Sequence, residues 1–279
     1  MLQDTAFIQE QDVKWYNKKM ARQHKPKIKP LFDSNHAQQV MKHFRSVDYN
    51  TPYRIDDEIE FQFINSGHML GSAVVHLTIK EHGETKRIAY TGDIGRLHSH
   101  ILSTPQAFPQ CDYLICESTY GDRLHDDELV SEEQLLGVVE ETCMYKKGKL
   151  LIPSFSVGRT QEIVYVLNEL YNDGRLERVP VYVDSPLSAN ATEIFRRHAD
   201  TLNEQVRDTM RYDADPFGFN TLHYITDVQQ SKALNKSEQP CIVISSSGML
   251  EAGRIKHHVS NHIDDPTTTI LIVGYCSPT

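Results

Sequence analysis

Three residues in the first half of the chain have the types and settings for hydrolytic chemistry: His68, Asp93 and Glu117. His68 stands in Asn-Ser-Gly-His-Met-Leu-Gly-Ser, Asp93 in Tyr-Thr-Gly-Asp-Ile-Gly-Arg, and Glu117 in Cys-Glu-Ser-Thr-Tyr-Gly-Asp-Arg. Imidazole nitrogens and carboxylate oxygens both suit Zn²⁺. A carboxylate can also bridge two metals, at the roughly 4 Å separation that two-metal hydrolysis uses. Each residue has a plainer reading too. A lone histidine after a strand is usually a hydrogen-bonded loop residue, Thr-Gly-Asp is a common turn, and Glu117 could simply pair with Arg96 or Arg123.

These residues need strands behind them. Val74 to Ile79 alternates as a strand does, Arg87 to Tyr90 leads into the Asp93 turn, and Tyr113 to Cys116 leads into Glu117. Turns after strand ends display reactive groups, because the strand fixes position while the loop frees the side chain. Gly67, Gly71, Gly92 and Gly95 suit tight turns and close backbone approach. Antiparallel strands are expected over 54–64 and 72–80, with a hairpin turn at Glu81-His-Gly-Glu84 into a third strand, Thr85 to Tyr90. No helical crossover interrupts them, which predicts stacked sheet. Ahead of them, Asp12 to Gln23 has the apolar spacing of a helix, and a second helix is expected through Phe44.

The second half has a different texture. Ser131 is placed to cap a helix, Leu150 to Pro153 reads as a short buried strand, and a helix follows from about Gly158 to Tyr171. Strands at 180–184, 241–245 and 269–273 alternate with helices expected over 188–212, 227–236 and 250–262. That alternation predicts a parallel sheet with helices on its faces. Two strand-end loops are rich in serine. Ser154, Ser156, Gly158 and Arg159 precede or open one helix, and Ser246, Ser247 and Gly248 follow a later strand. Free N–H groups at a helix start favour anions, and hydroxyls and arginine add hydrogen bonds to a phosphodiester. A plain N-cap with a surface arginine fits the same residues. Asp184-Ser185-Pro186 is a third strand-end turn, expected to order the groove.

The clusters around His68, Asp93 and Glu117 are followed in order by Ile-Pro-Ser-Phe-Ser-Val-Gly-Arg-Thr-Gln-Glu, Val-Tyr-Val-Asp-Ser-Pro-Leu and Ile-Ser-Ser-Ser-Gly-Met-Leu-Glu-Ala-Gly-Arg. Taken together, the six resemble the metallo-β-lactamase superfamily, and within it the β-CASP RNA-processing nucleases of the bacterial, cleavage-factor-like branch. The resemblance implies an α/β protein. Residues 1–123 would form a partial metallo-β-lactamase αββα domain, and 124–279 a β-CASP domain of parallel sheet and flanking helices. It further implies a zinc-dependent ribonuclease with two zinc ions, His68 a terminal ligand and Asp93 the bridge. Asp93 and Glu117 would be the catalytic carboxylates, and Ser154, Ser156, Gly158, Arg159, Ser246, Ser247 and Gly248 would contact RNA, single-stranded by preference. A homodimer is compatible with such an enzyme.

The family's His-x-His-x-Asp-His motif is absent from the 279 residues, as are two later histidine motifs. An internal segment of a longer enzyme, weak or inactive toward zinc and RNA cleavage by itself, is therefore expected. The alternative is a non-catalytic RNA-binding or assembly module that has lost its metal.

Composition agrees with an ordinary globular chain, 39% apolar and 24% charged. The net charge of −9 opposes non-specific wrapping by nucleic acid but leaves room for a local basic groove. One basic stretch, His24 to Pro30, reads either as a phosphate contact or as a solvated linker, the linker being the commoner case. No apolar run approaches the ~20 residues that span a bilayer, so no membrane partner is expected. Cysteines 111, 116, 143, 241 and 276 are scattered, as reduced and mostly buried thiols of a cytoplasmic protein would be. His257, His258 and His262 share a predicted helix; a metal pair is conceivable, and a helix-surface position is the favoured reading.

Overall fold

The computed structural model describes residues 1–122, 131–176 and 179–274. The Arg123 boundary, Arg123 as a partner for Glu117, and Cys276 lie outside them. The chain forms two compact units, Met1–Asp48 and a second beginning at Tyr49.

The first unit holds helix α1 (Leu2–Ala21) and helix α2 (Ser34–Met41). The apolar spacing predicts a helix only from Asp12. It starts ten residues earlier because no glycine or proline interrupts the chain before Pro26. Asp33 caps α2, accepting the His36 N–H at 3.0 Å.

The second unit contains two five-stranded sheets. The first runs β1 (Tyr53–Arg54), β2 (Ile59–Asn65), β3 (Ala73–Glu81), β4 (Glu84–Tyr90), β5 (Tyr113–Ile115), each strand beside the next. All pairs are antiparallel except β4 with β5, which is parallel and joined through an irregular segment. The expected strand 54–64 is split in two. Asp56 turns the chain by accepting the N–H groups of Glu58 and Ile59, so β1 folds back onto β2. The β3–β4 hairpin turns through His82 and Gly83, both at positive φ, as a two-residue loop matched to strand twist requires. Among the described residues this half contributes one sheet.

The second sheet is parallel throughout, in the order β10-β6-β9-β7-β8. Its strands are β6 (Lys149–Pro153), β7 (Val181–Asp184), β8 (Leu222–Tyr224), β9 (Cys241–Ser245) and β10 (Thr269–Ile270). Helix α3 (Glu132–Val139), α4 (Arg159–Asn172), α5 (Pro186–Arg197) and α6 (Glu204–Thr209) share one core with Leu150, Ile152, Val183 and Ile244. Helices α7 (Val228–Lys236) and α8 (Ile255–His262) pack on the opposite face, against Leu151 and Val243. Alternate residues of β6 and β9 thus serve opposite faces, which is why both strands are buried along their whole length. The α/β architecture is as expected.

Capping sets the helix starts. Ser131, Ser185, Asn203 and Asp227 each accept an N–H from the first turn of α3, α5, α6 and α7. The expected helical span 188–212 is broken between α5 and α6 by a short 3-10 turn. The helix expected from 250 begins only at Ile255, because Leu250 and Gly253 hold positive φ. No described helix is long and apolar enough to cross a membrane.

Candidate active site

His68, Asp93 and Glu117 converge at one end of the first sheet. His68 sits between β2 and β3, Asp93 follows β4 and Glu117 follows β5. His68 Nε2 lies 3.6 Å from Asp93 Oδ2, with both side chains open to solvent. That is too long for a good hydrogen bond but short enough for both groups to meet one cation.

Backbone interlocks hold this pair. The Gly95 N–H donates to the Ser66 carbonyl at 2.8 Å, and Ser66 Oγ donates to the Asp93 carbonyl at 3.0 Å. Gly95 lies so close to the His68 loop that a Cβ there would stand 2.0 Å from the Gly67 carbonyl oxygen. Glycine is required at 95 for this approach.

Of the two arginines considered from the sequence, Arg96 is the one among the described residues, and Glu117 forms no ion pair with it. Its Oε1 accepts the Ile94 N–H at 2.6 Å and its Oε2 accepts the Thr119 hydroxyl at 2.9 Å. The Ile94 bond chiefly holds its carboxyl below the usual range, against a desolvation cost, with help from Thr119 and the nearby His68. Glu117 is thus an anion that fixes the loop carrying Asp93.

Arg96, three residues after Asp93, lies within electrostatic reach of the first turn of α4. Burial lowers its pKa, as does the neighbouring positive charge of Arg159, while Glu162 and Tyr120 oppose the shift. Arg159 and Glu162 form an ion pair in the first turn of α4. The loop that carries Asp93 and Arg96 is therefore near the start of α4, which the serine-rich loop 154–158 precedes in sequence.

In that loop the serines divide. Ser154 is buried and accepts from Thr160 Oγ1 at 3.1 Å. Ser156 Oγ lies 3.2 Å from Ser185 Oγ, which also accepts from Ser246 Oγ at 3.4 Å. Three hydroxyls from the ends of β6, β7 and β9 thus converge. The Gly158 N–H is engaged by Gln161 Oε1 at 2.7 Å, so this amide of the α4 start is already satisfied. Ser247 is half-buried and donates its N–H to the Ala252 carbonyl. Gly248 is buried against Phe155.

Below the hydroxyls lies a buried polar node that sequence reasoning only partly foresaw. Asp184 accepts from Arg254 Nη1 at 2.7 Å, His258 Nε2 at 2.7 Å, and the Ser231 hydroxyl. Burial pushes its carboxyl up, but these three donors outweigh it and hold the carboxyl below its ordinary range. His258 is buried, not on the helix surface as expected, and its Nδ1 faces Asn235 Oδ1 at 2.8 Å. His262 Nε2 meets Lys149 Nζ at 3.1 Å, so the two histidines have different partners and do not form a metal pair. Among the four described cysteines, all free, Cys143 and Cys241 are buried, Cys111 is half-buried and Cys116 is exposed. Burial pushes the Cys143 and Cys241 thiols up to about 12 and about 11, unsuited to nucleophilic work.

Residues 160–279 match the family described as Beta-Casp domain. With its two sheets and flanking helices, the chain fits a metallo-β-lactamase-type α/β fold. The chain is 34% identical to a ribonuclease of Thermus thermophilus, over 88% of its own length and 55% of that protein. It is 33% identical to an RNase J-like protein of Methanocaldococcus jannaschii, over 85% of its length and 54% of the relative. It is 35% identical to the transcription termination factor FttA of the same organism, over 88% and 38% respectively. The chain thus spans about half the length, or less, of these relatives. The Beta-Casp match begins at Thr160, so Arg159 and the Ser154–Gly158 loop lie just before it.

Zinc, which the resemblance implies, fits these residues only in part. His68 and Asp93 offer an imidazole and a carboxylate to one cation, but among the described residues no group of three or more His, Cys, Asp or Glu could hold a metal ion. A catalytic zinc takes three protein ligands and a structural one takes four. The described residues do not complete such a site.

Proposed function

We propose that this chain belongs to a ribonuclease of β-CASP type that hydrolyses RNA phosphodiester bonds in RNA processing or decay. The observation that carries the reading is the meeting of His68, Asp93 and Glu117 at one sheet end, with Arg96 of the same loop beside Arg159 and Glu162 of the Beta-Casp part. Single-stranded RNA would pass between these loops. Ser156 and Ser246 would meet its phosphates, Arg96 and Arg159 would supply positive charge, and Glu117 would keep the Asp93 loop in place. Zinc is the proposed metal, with His68 and Asp93 among its ligands.

A second reading is a non-catalytic RNA-binding module derived from such a nuclease. The two-donor metal site favours it. Cleavage of end-labelled single-stranded RNA separates the two. Under the first reading the complete protein to which this chain belongs cuts RNA, and in it both Asp93→Ala and metal chelation abolish cutting while binding persists. Binding without cutting at any metal concentration would favour the second. Undiminished cutting by the Asp93 variant would reject Asp93 as a reacting group.

A further inference from the structure

The acidic total of this chain conceals a basic unit. Residues 1–48 hold nine Lys and Arg against five Asp and Glu, net +4, while the remainder holds 20 against 33, net −13. Between Asp12 and Asp33, twenty residues carry seven Lys or Arg and no carboxylate.

The structure gathers these charges. Lys14, Lys18 and Lys19 lie on the C-terminal half of α1, and the chain reverses at His24, whose φ is +53°. The proline-bounded segment Lys25 to Pro30 is then clamped to the helix. Asn17 Nδ2 donates to the Ile28 carbonyl at 2.9 Å, and Asn17 Oδ1 accepts the Ile28 N–H at 2.9 Å. One side-chain amide thus pairs with a peptide group as a neighbouring strand would. The clamp sets Lys27 and Lys29 alongside the helical turn that carries Lys14 and Lys18. All these lysines and Arg22 are exposed, and among the described residues none forms an ion pair with a carboxylate. Beside them Trp15 is 64% exposed, with the Lys19 ammonium 5.1 Å from its ring centroid.

Unneutralised cations beside an open indole form a surface that suits a single strand: phosphates lie along the lysines and a base stacks on the ring. We propose that the C-terminal half of α1 and the strap 25–30 dock single-stranded RNA, through residues other than those of the candidate active site. This rests on the RNA reading above. An anionic bilayer fits less well, because a helix lying in a lipid surface needs a continuous apolar stripe and a basic polar face. Here α1 is weakly amphipathic and carries Asp4, Glu10 and Asp12 in its N-terminal half.

Trp15 is the single tryptophan of the chain, so emission excited at the red edge, where indole absorbs and tyrosine does not, reports on this surface alone. An oligouridylate titrated into the protein is expected to quench that emission saturably, in step with the anisotropy of the same labelled oligomer. The triple variant Lys18→Ala, Lys27→Ala, Lys29→Ala is expected to bind more weakly. Its salt dependence should flatten by about 2 in the slope of log K against log salt, at ~0.7 for each phosphate no longer neutralised. Asn17→Ala should also weaken binding with no change of charge, since it frees the strap. RNA binding seen by anisotropy, with Trp15 emission and the triple variant's affinity unchanged, would overturn this surface while leaving the RNA reading intact. No RNA binding by either readout would overturn both. Emission changes with phosphatidylserine vesicles and none with RNA would overturn the proposal in favour of lipid.

Discussion

The Ile94 N–H donates to Glu117 Oε1 at 2.6 Å, so the carboxylate that follows β5 grips the residue next to Asp93. That bond is the main reason the Glu117 carboxyl lies below its ordinary 4.5. A carboxyl with a depressed folded pKa stabilises the fold above its unfolded value. The stabilisation is lost as pH falls through the folded pKa. Glu117→Gln retains an acceptor oxygen but has no charge to titrate. Urea denaturation followed from neutral pH down through 4.5 should show a shallower acid-side fall for the variant than for the parent. Identical pH profiles would mean that the Ile94 bond does not depend on ionisation.

Asp184 is fully buried and is the shared acceptor of Arg254, His258 and Ser231. Asp184→Ala leaves a half-buried guanidinium and a buried imidazole without their carboxylate. Breaking a buried pair from one side costs about 3–5 kcal/mol. Chemical denaturation at neutral pH should show a loss of that order. Because the carboxyl titrates below its ordinary value, the parent should also lose this contribution on acidification, and the variant should not. A loss below about 1 kcal/mol would show that Arg254 and His258 find other partners.

Gly95→Ala would place a methyl group 2.0 Å from the Gly67 carbonyl oxygen and 2.6 Å from the His68 nitrogen. Neither contact is to a flexible side-chain end, so the two loops must part. Overpacking of this kind costs about 1–3 kcal/mol. Thermal unfolding should shift down accordingly, and RNA cleavage should fall more than the stability loss explains, because His68 and Asp93 are separated. A variant that unfolds earlier yet cuts at the parent's rate would show that this spacing is unimportant to activity.

Much of the architecture was legible because it rests on short-range rules. Ser131 and Asp227 announce helix starts, His82-Gly83 announces a hairpin, and the apolar runs 150–153 and 241–245 announce buried strands. Strand β8 was missed because three residues, Leu222 to Tyr224, are too few to show alternation. That His68 and Asp93 share a site is what the resemblance implies; the local pattern offers only glycines suited to close approach, of which Gly95 makes one. Arg96 was not legible, since its proximity to Arg159 depends on how two sheets some sixty residues apart in sequence come together. His258 was misjudged as a surface residue because its partner Asp184 is 74 positions away, and no local pattern marks such a pair. Gln161 was read only as part of a motif, yet its buried amide ties Ser156, Ser188 and Thr192 together.

The chain of hydroxyls Ser156–Ser185–Ser246 has a consequence for whatever enters beside it. Hydroxyl protons rotate, so the Ser156–Ser185 bond can run in either direction with both oxygens fixed, while Ser246 donates to Ser185. An arriving oxygen acceptor would be met by a donor, and an arriving N–H by a lone pair, with no backbone shift. Polarity at these strand ends is chosen by the visitor, while the Ser185 cap on α5 and the β-strand register hold the spacing constant.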